Sequence, residues 1–188
     1  MPIYDNGRDE QRDCVQRMID KYHGDLRDAQ VKVDVLRAWA KLDKNGDPVG
    51  PALTLHGYPC LAIVRVIPYK QRVKGSGDAE IVIDDERWDE LSSEEQEALI
   101  DHELEHLVLR HKEDDLGRPK LKLRHHDYRL EGFDAIIRRH GQAALEWQYY
   151  SELAIGAESR VRQLWLPYVQ AEASVGPTRG KDAAVVRA

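Results

Sequence analysis

The chain has 188 residues, 41% of them hydrophobic and 33% charged, a length and balance that suit one globular domain with a buried core, or one domain and a tail. A net charge of −6 excludes a whole-chain field that would draw the protein to nucleic acid or an anionic membrane, leaving only local basic clusters such as "RHHDYR" and "RRH". Two cysteines without CxxC spacing, Cys14 and Cys60, argue against a disulfide framework and read as reduced, packed thiols. The start, "MPIYDNGRDEQRD", lacks a basic-then-apolar signal, and no apolar run is long enough to span a bilayer, so a cytoplasmic protein is expected.

Residues 8–23 predict a helix, because Cys14, Val15, Met18, Ile19 and Tyr22 recur at three-to-four spacing before Gly24. "VKVDVLRAW" alternates Val31, Val33 and Val35 with polar residues, the pattern of a half-buried strand. "KLDKNGDPVG" carries Asn-Gly and Asp-Pro turn signals, and "ALTLHGYPCLAIVRVIP" reads as one or two strands bent around Gly57 and Pro59. "YKQRVKGSGD" reads as a flexible connection, and "AEIVIDDERW" as a further strand ending near Trp88, which is expected to pack.

"LSSEEQEALIDHELEHLVLR" predicts a long capped helix. Ser92 with Glu95, or Ser93 with Gln96, forms a capping box, and Leu99, Ile100, Leu104, Leu107 and Val108 make one apolar stripe. "HKEDDLGRPK" follows as a polar loop and "LKLRHHD" as a short extended piece. A helix is expected over "YRLEGFDAIIRRHG", stopped by Gly141, and another over about 142–171, with Leu145, Tyr149, Leu153, Val161, Leu164 and Trp165 apolar. The rest, 172–188, has no periodicity and is expected to be a disordered tail, so that the domain covers 1–171. The order of elements implies an α+β fold: a small mixed or antiparallel sheet packed on the central helix, with additional helices.

The chemistry concentrates on that central helix. His102 and His106 are four residues apart and project from one face, where two imidazoles can reach one Zn²⁺ at roughly 2.0–2.1 Å. Glu103, next along, can reach water beside the metal without being a ligand, the arrangement of an HExxH hydrolase in which the metal activates water and the glutamate is general base. A catalytic zinc needs a third protein ligand and an open position. His111, His125, His126, Asp127 and Glu131 are the candidates. His111 lacks the glycine turn of the longer HExxHxxGxxH motif and reads as a histidine at the helix end. "RHHD" returns after a loop and can approach from another direction, which favours His126, with Asp127 as its hydrogen-bond partner and His125 or Glu131 as alternatives. An oxyanion donor is open among Tyr128, His125, Tyr149 and Tyr150. The strand "AEIVIDD" either pairs with an extended substrate peptide or is an internal strand. His23, His56 and His140 show no pattern that points to chemistry.

"WDELSSEEQEALIDHELEHLVL" and "DLGRPKLKLRHHDYRLEGFDAIIRRHG" resemble the phage metallopeptidase family, a zincin-like, SprT-related group named for its expected activity. The resemblance extends upstream through "AQVKVDVLRAWA" and "GYPCLAIVRVIP", covering roughly residues 8–141, and is most specific at DHELxH and the downstream His-Asp pair. It implies a zincin-like fold, His102 and His106 as zinc ligands, Glu103 as catalytic acid/base, and His126 as third ligand. A protein or peptide substrate is implied, in the cytoplasm of a bacterium or phage-infected host. Nucleic-acid association follows only from analogy with SprT-like relatives. The alternative is a protein-binding or regulatory module that keeps the zincin fold without hydrolysis, against which the retained Glu103 argues. Metal-dependent RNA cleavage by His102, His106 and His111 is disfavoured, since the spacing is one residue short of the three-histidine endoribonuclease motif.

Overall fold

A computed structural model describes residues 2–126 and 132–147 of the chain. Strand β1 (Ile3–Asn6) leads into helix α1 (Asp9–Tyr22) and the short α2 (Gly24–Asp28). The Arg8 backbone N–H donates to the Gln11 side chain at 2.9 Å and starts α1, whose Cys14, Val15, Met18 and Ile19 are buried at the expected spacing. Strand β2 is Val33–Trp39, and a two-stranded flap follows, β3 (Thr54–Leu55) and β4 (Tyr58–Pro59), turning through His56 and Gly57 at φ of 51° and 88°. Next come β5 (Ala62–Val66), α3 (Tyr69–Val73), β6 (Ala79–Asp84) and the single-turn α4 (Asp85–Trp88).

The main sheet has the order β1-β2-β6-β5, in which β2 and β6 run parallel and the outer pairs antiparallel. All six residues of β6 are buried. Ile81 and Ile83 enter the principal core with α1, while Val82 faces a smaller cluster of Ala38, Ala52 and Leu53 on the other side. Cover on both faces explains why "AEIVID" is nearly continuous in hydrophobicity. The placement also decides between the two readings of this strand. β6 is paired on both edges and has no edge to offer a substrate, so the internal-strand reading is the right one; the edge strands are β1 and, beside β6, β5.

Helix α5 (Ser93–Glu105) packs against α1 and β5 and buries Ala98, Leu99, Ile100 and Leu104. It is shorter than the sequence suggests. From Leu107 to Glu113 the chain is strand β7, which pairs antiparallel with β8 (Pro119–Leu123). Leu104, Leu107 and Val108 satisfy helical spacing, but Leu107 and Leu109 also alternate, and pairing with Leu123 and Leu121 decides between the two. The turn is built by Asp114, whose Oδ1 accepts from the N–H groups of Leu116 and Arg118 at 2.9 Å each, and by Gly117 at φ 68°. His111 therefore lies in a strand and not at a helix end.

The presumed flexible connection also contains a helix, α3, and its Arg72 is buried. Pro68 and Gly75 bracket it as start and stop signals. Arg72 binds Asp78 at 2.5 Å and Asp114 at 3.1 Å, while Arg118 reaches Asp78 at 2.8 Å, so the β7–β8 turn is tied to the sheet. Helix α6 (Asp134–His140) ends at Gly141, φ 56°, as expected, and a 3₁₀ turn, Gly141–Ala143, follows. The architecture is thus mixed α+β, with small sheets and several helices. The boundary expected at 171 and most of the last expected helix lie outside the described residues. No helix among the described residues is long and apolar enough to cross a membrane.

Candidate metal centre

Ser92 sets the start of α5. Its Oγ accepts from the Glu95 N–H at 3.3 Å, and its own N–H donates to Glu95 Oε2 at 2.9 Å, a reciprocal cap. With Leu99, Ile100 and Leu104 committed to the core, the last turns carry His102, Glu103 and His106 toward β5 and the β7–β8 hairpin. The hairpin then returns the chain to the helix end. Beyond the Leu107–Leu123 pair, the Arg124 N–H donates to the His106 carbonyl at 2.8 Å, and His106 Nδ1–H donates to the Arg124 carbonyl at 2.8 Å. Two residues later stands His126.

His102 Nε2 and His126 Nε2 are 3.1 Å apart, and one ligand atom from each of His102, His106 and His126 lies within 4.8 Å of the others. Two nitrogens bound to one tetrahedral zinc at 2.0–2.1 Å are separated by roughly 3.3–3.4 Å, so the donor set fits that ion. The Nδ1 atoms of His102 and His106 are both occupied as donors, to Glu146 Oε1 at 2.5 Å and to the Arg124 carbonyl, which leaves their Nε2 lone pairs for a metal. Phe133, fully buried and the chain's single phenylalanine, packs against all three imidazoles with ring centroids 4.8–5.1 Å away. Arg124 lies over its ring at 4.4 Å.

Burial pushes the His106 imidazole down to about 4, assisted by the neighbouring His102 and His126 and opposed by its bond to the Arg124 carbonyl, so it is neutral at physiological pH. For His102, burial disfavours charge, but the hydrogen bond to Glu146 and the nearby Glu103, Glu146 and Asp101 charges outweigh it and raise its pKa. Glu103 is only 7% exposed; burial pushes its carboxyl above the ordinary range, against the pull of His102 and of the nearby Val64 backbone N–H.

The remaining candidates fall elsewhere. His125 is exposed and stands apart from the three converging nitrogens. His111 has its backbone in β7, and Asp127, Tyr128, Glu131, Tyr149 and Tyr150 lie outside the described residues. Trp88 is core, at 2% exposed.

Two features escape a sequence reading. Glu146 meets His102 across 44 residues, a contact without any spacing signal. His23 and His140, which show no pattern in the sequence, hold Asp101, the residue preceding His102. His23 Nε2–H donates to Oδ1 at 2.6 Å and His140 Nε2–H to Oδ2 at 2.7 Å. Arg139 Nη1 reaches Asp101 and Glu105 at 3.0 Å each, supplying the positive charge between the carboxylates, so this second group of His23, Asp101 and Glu105 is an ion-paired clamp joining α5 to α6 and to the end of α1. Burial would raise the Asp101 carboxyl, but these donors hold it below the ordinary range.

In comparison with known proteins, the family model described as "Putative phage metallopeptidase" matches residues 6–154. No curated protein and no solved structure matches the chain.

Proposed function

The chain belongs to the phage metallopeptidase family, and on that premise we propose that it is a zinc-dependent peptidase of the zincin type, with His102, His106 and His126 as ligands and Glu103 as general base. The observation that carries this reading is the convergence of three imidazole nitrogens from two separate segments beside a buried carboxylate. A purely structural zinc site has four protein ligands and no use for a base next to them; three histidines leave a position for water and substrate.

A bound zinc supplies Lewis acidity, lowering the pKa of water and polarising a carbonyl oxygen. Glu103 takes the proton from the attacking water and returns it to the departing amine. Burial strengthens it as a base by raising its pKa, and the Val64 backbone N–H lies near it. The same contact suggests where substrate lies. β5 has no strand paired on its outer edge among the described residues, and Val64 presents its N–H from that edge toward Glu103. An extended peptide added there would bring its backbone past the base. The substrate is accordingly an unfolded or extended protein segment.

The test is metal content followed by turnover. The purified protein is expected to hold one zinc per chain, lost in both His102→Ala and His126→Ala. Glu103→Gln should keep the zinc and the fold while losing turnover of a mixed peptide library by at least two orders of magnitude. A wild-type protein that takes up no zinc when supplied with it would overturn the metal site, and undiminished turnover in Glu103→Gln would overturn the role of the base.

A further inference from the structure

We infer that Glu146 is a positioning residue for the metal centre, fixing the ring and tautomer of His102, and that Gly132 exists in its present form to admit it. The inference rests on the zinc-site reading above.

Glu146 is 7% exposed, and its Oε1 accepts the His102 Nδ1–H at 2.5 Å. A carboxylate at that nitrogen keeps the proton on Nδ1 and directs the Nε2 lone pair at the point where His126 and His106 converge. Because Oε1 lies on the far side of the ring from Nε2, Glu146 orients the ligand and cannot itself be one. The niche is built for it. The Phe133 N–H points at the same oxygen from 3.4 Å, and a Cβ at Gly132 would stand 2.1 Å from Glu146 Cγ and 3.0 Å from Oε1. Any side chain at 132 would therefore drive the carboxylate off His102. Glu146 Oε2 is buried with no hydrogen-bond partner among the described residues, an arrangement that packing alone does not favour. Gly132 and Phe133 thus act together: one makes room for the group behind His102, and the other's ring supports all three imidazoles.

The experiment measures zinc affinity by competition with a chromophoric chelator for the full chain and for Glu146→Ala, Glu146→Gln and Gly132→Ala, beside the melting temperature of each metal-free protein. Glu146→Ala is expected to weaken zinc binding 10- to 100-fold. Glu146→Gln should recover part of that loss, because its carbonyl still accepts from Nδ1. Gly132→Ala should reproduce the Glu146→Ala loss by displacing the Glu146 carboxylate; if it fails to fold, the two Glu146 variants decide. The absorption of the Co²⁺-loaded protein, which reports ligand geometry, should change in Glu146→Ala and stay near wild type in Glu146→Gln. Wild-type affinity in Glu146→Ala overturns the inference and spares the zinc site. Equal losses in the Ala and Gln variants, matched by equal drops in metal-free melting temperature, also overturn it, since Glu146 would then be holding the fold alone. Failure of the wild type to bind zinc removes the site and the inference together.

Discussion

His125 and His126 are adjacent and chemically identical, yet one is exposed and the other faces His102 at 3.1 Å. The difference follows from hairpin register. The Leu107–Leu123 and His106–Arg124 pairings count the chain out from the helix end, and a shift of one residue would present the other histidine. His125→Ala is therefore expected to retain one zinc per chain by elemental analysis, while His126→Ala loses it; the opposite pattern would reverse the register. The thiols make a second prediction at this scale. Burial pushes both Cys14 and Cys60 up to about 11, the charges of Glu103 and Asp84 adding to the effect at Cys60. A raised pKa means less thiolate at a given pH, so at pH 8 only about one thiol in a thousand is ionised, against roughly a quarter for a free cysteine. Alkylation of the native protein should accelerate about tenfold per pH unit from 8 to 10, whereas the unfolded chain should level off near pH 9. A native rate that levels off near pH 9 would contradict these environments.

Among the elements, the β7–β8 hairpin bears the most consequence, because the third imidazole hangs from its end. Its turn is anchored by charges: Asp78 is 1% exposed and is contacted by both Arg72 and Arg118, and Arg72 also reaches Asp114 in the turn. Removing one partner of a buried pair costs far more than the pair contributes, because the other charge remains buried. Arg72→Ala is expected to lower stability by about 3–5 kcal/mol in urea unfolding and to weaken zinc binding as well. A change below about 1 kcal/mol would place the network with ordinary surface ion pairs. This dependence was not legible in the sequence, where Arg72 sits in a polar stretch that resembles a linker. The signs of α3 were nevertheless there, in Pro68 before it and Gly75 after it. Helix α5, by contrast, announces itself through a local cap and a local stripe, and only its last turn is misjudged. There helical and strand periodicities coincide over Leu104–Leu109, and the pairing partner that breaks the tie lies some fifteen residues downstream.

At the scale of the molecule, the proposed zinc site would join the end of α5 to the residues after β8, segments that separate on unfolding. Zinc bound to the native state alone therefore stabilises the whole domain. At a free concentration a thousand times the dissociation constant, the gain is about 4 kcal/mol, which for a chain of this length is a rise in Tm on the order of 10 °C. Calorimetry should show that rise on adding zinc to the metal-free wild type, its reversal by chelator, and no shift in His102→Ala. A similar rise in the variant would mean that zinc acts somewhere else. Metal-free His106, held neutral with its pKa near 4, needs no deprotonation before binding, so its contribution to zinc affinity should be flat between pH 6 and 8.

Local patterns sufficed for the α+β class, the position of α1, β2, β6 and α5, and the triplet His102-Glu103-His106, since each depends on residues within a few positions of one another: alternation, three-to-four spacing, a capping box. The sequence also pointed to His126, because a segment returning after a loop can approach a site begun on one face of a helix from another direction. The remainder emerged from packing. The end of α5, the burial of β6 between two neighbours, the clamp of His23 and His140 on Asp101, and Glu146 behind His102 all depend on contacts between residues distant in the chain. No local pattern encodes such partners, because a buried carboxylate or imidazole is chosen by what lies across from it in space, and that is established only when the elements have packed.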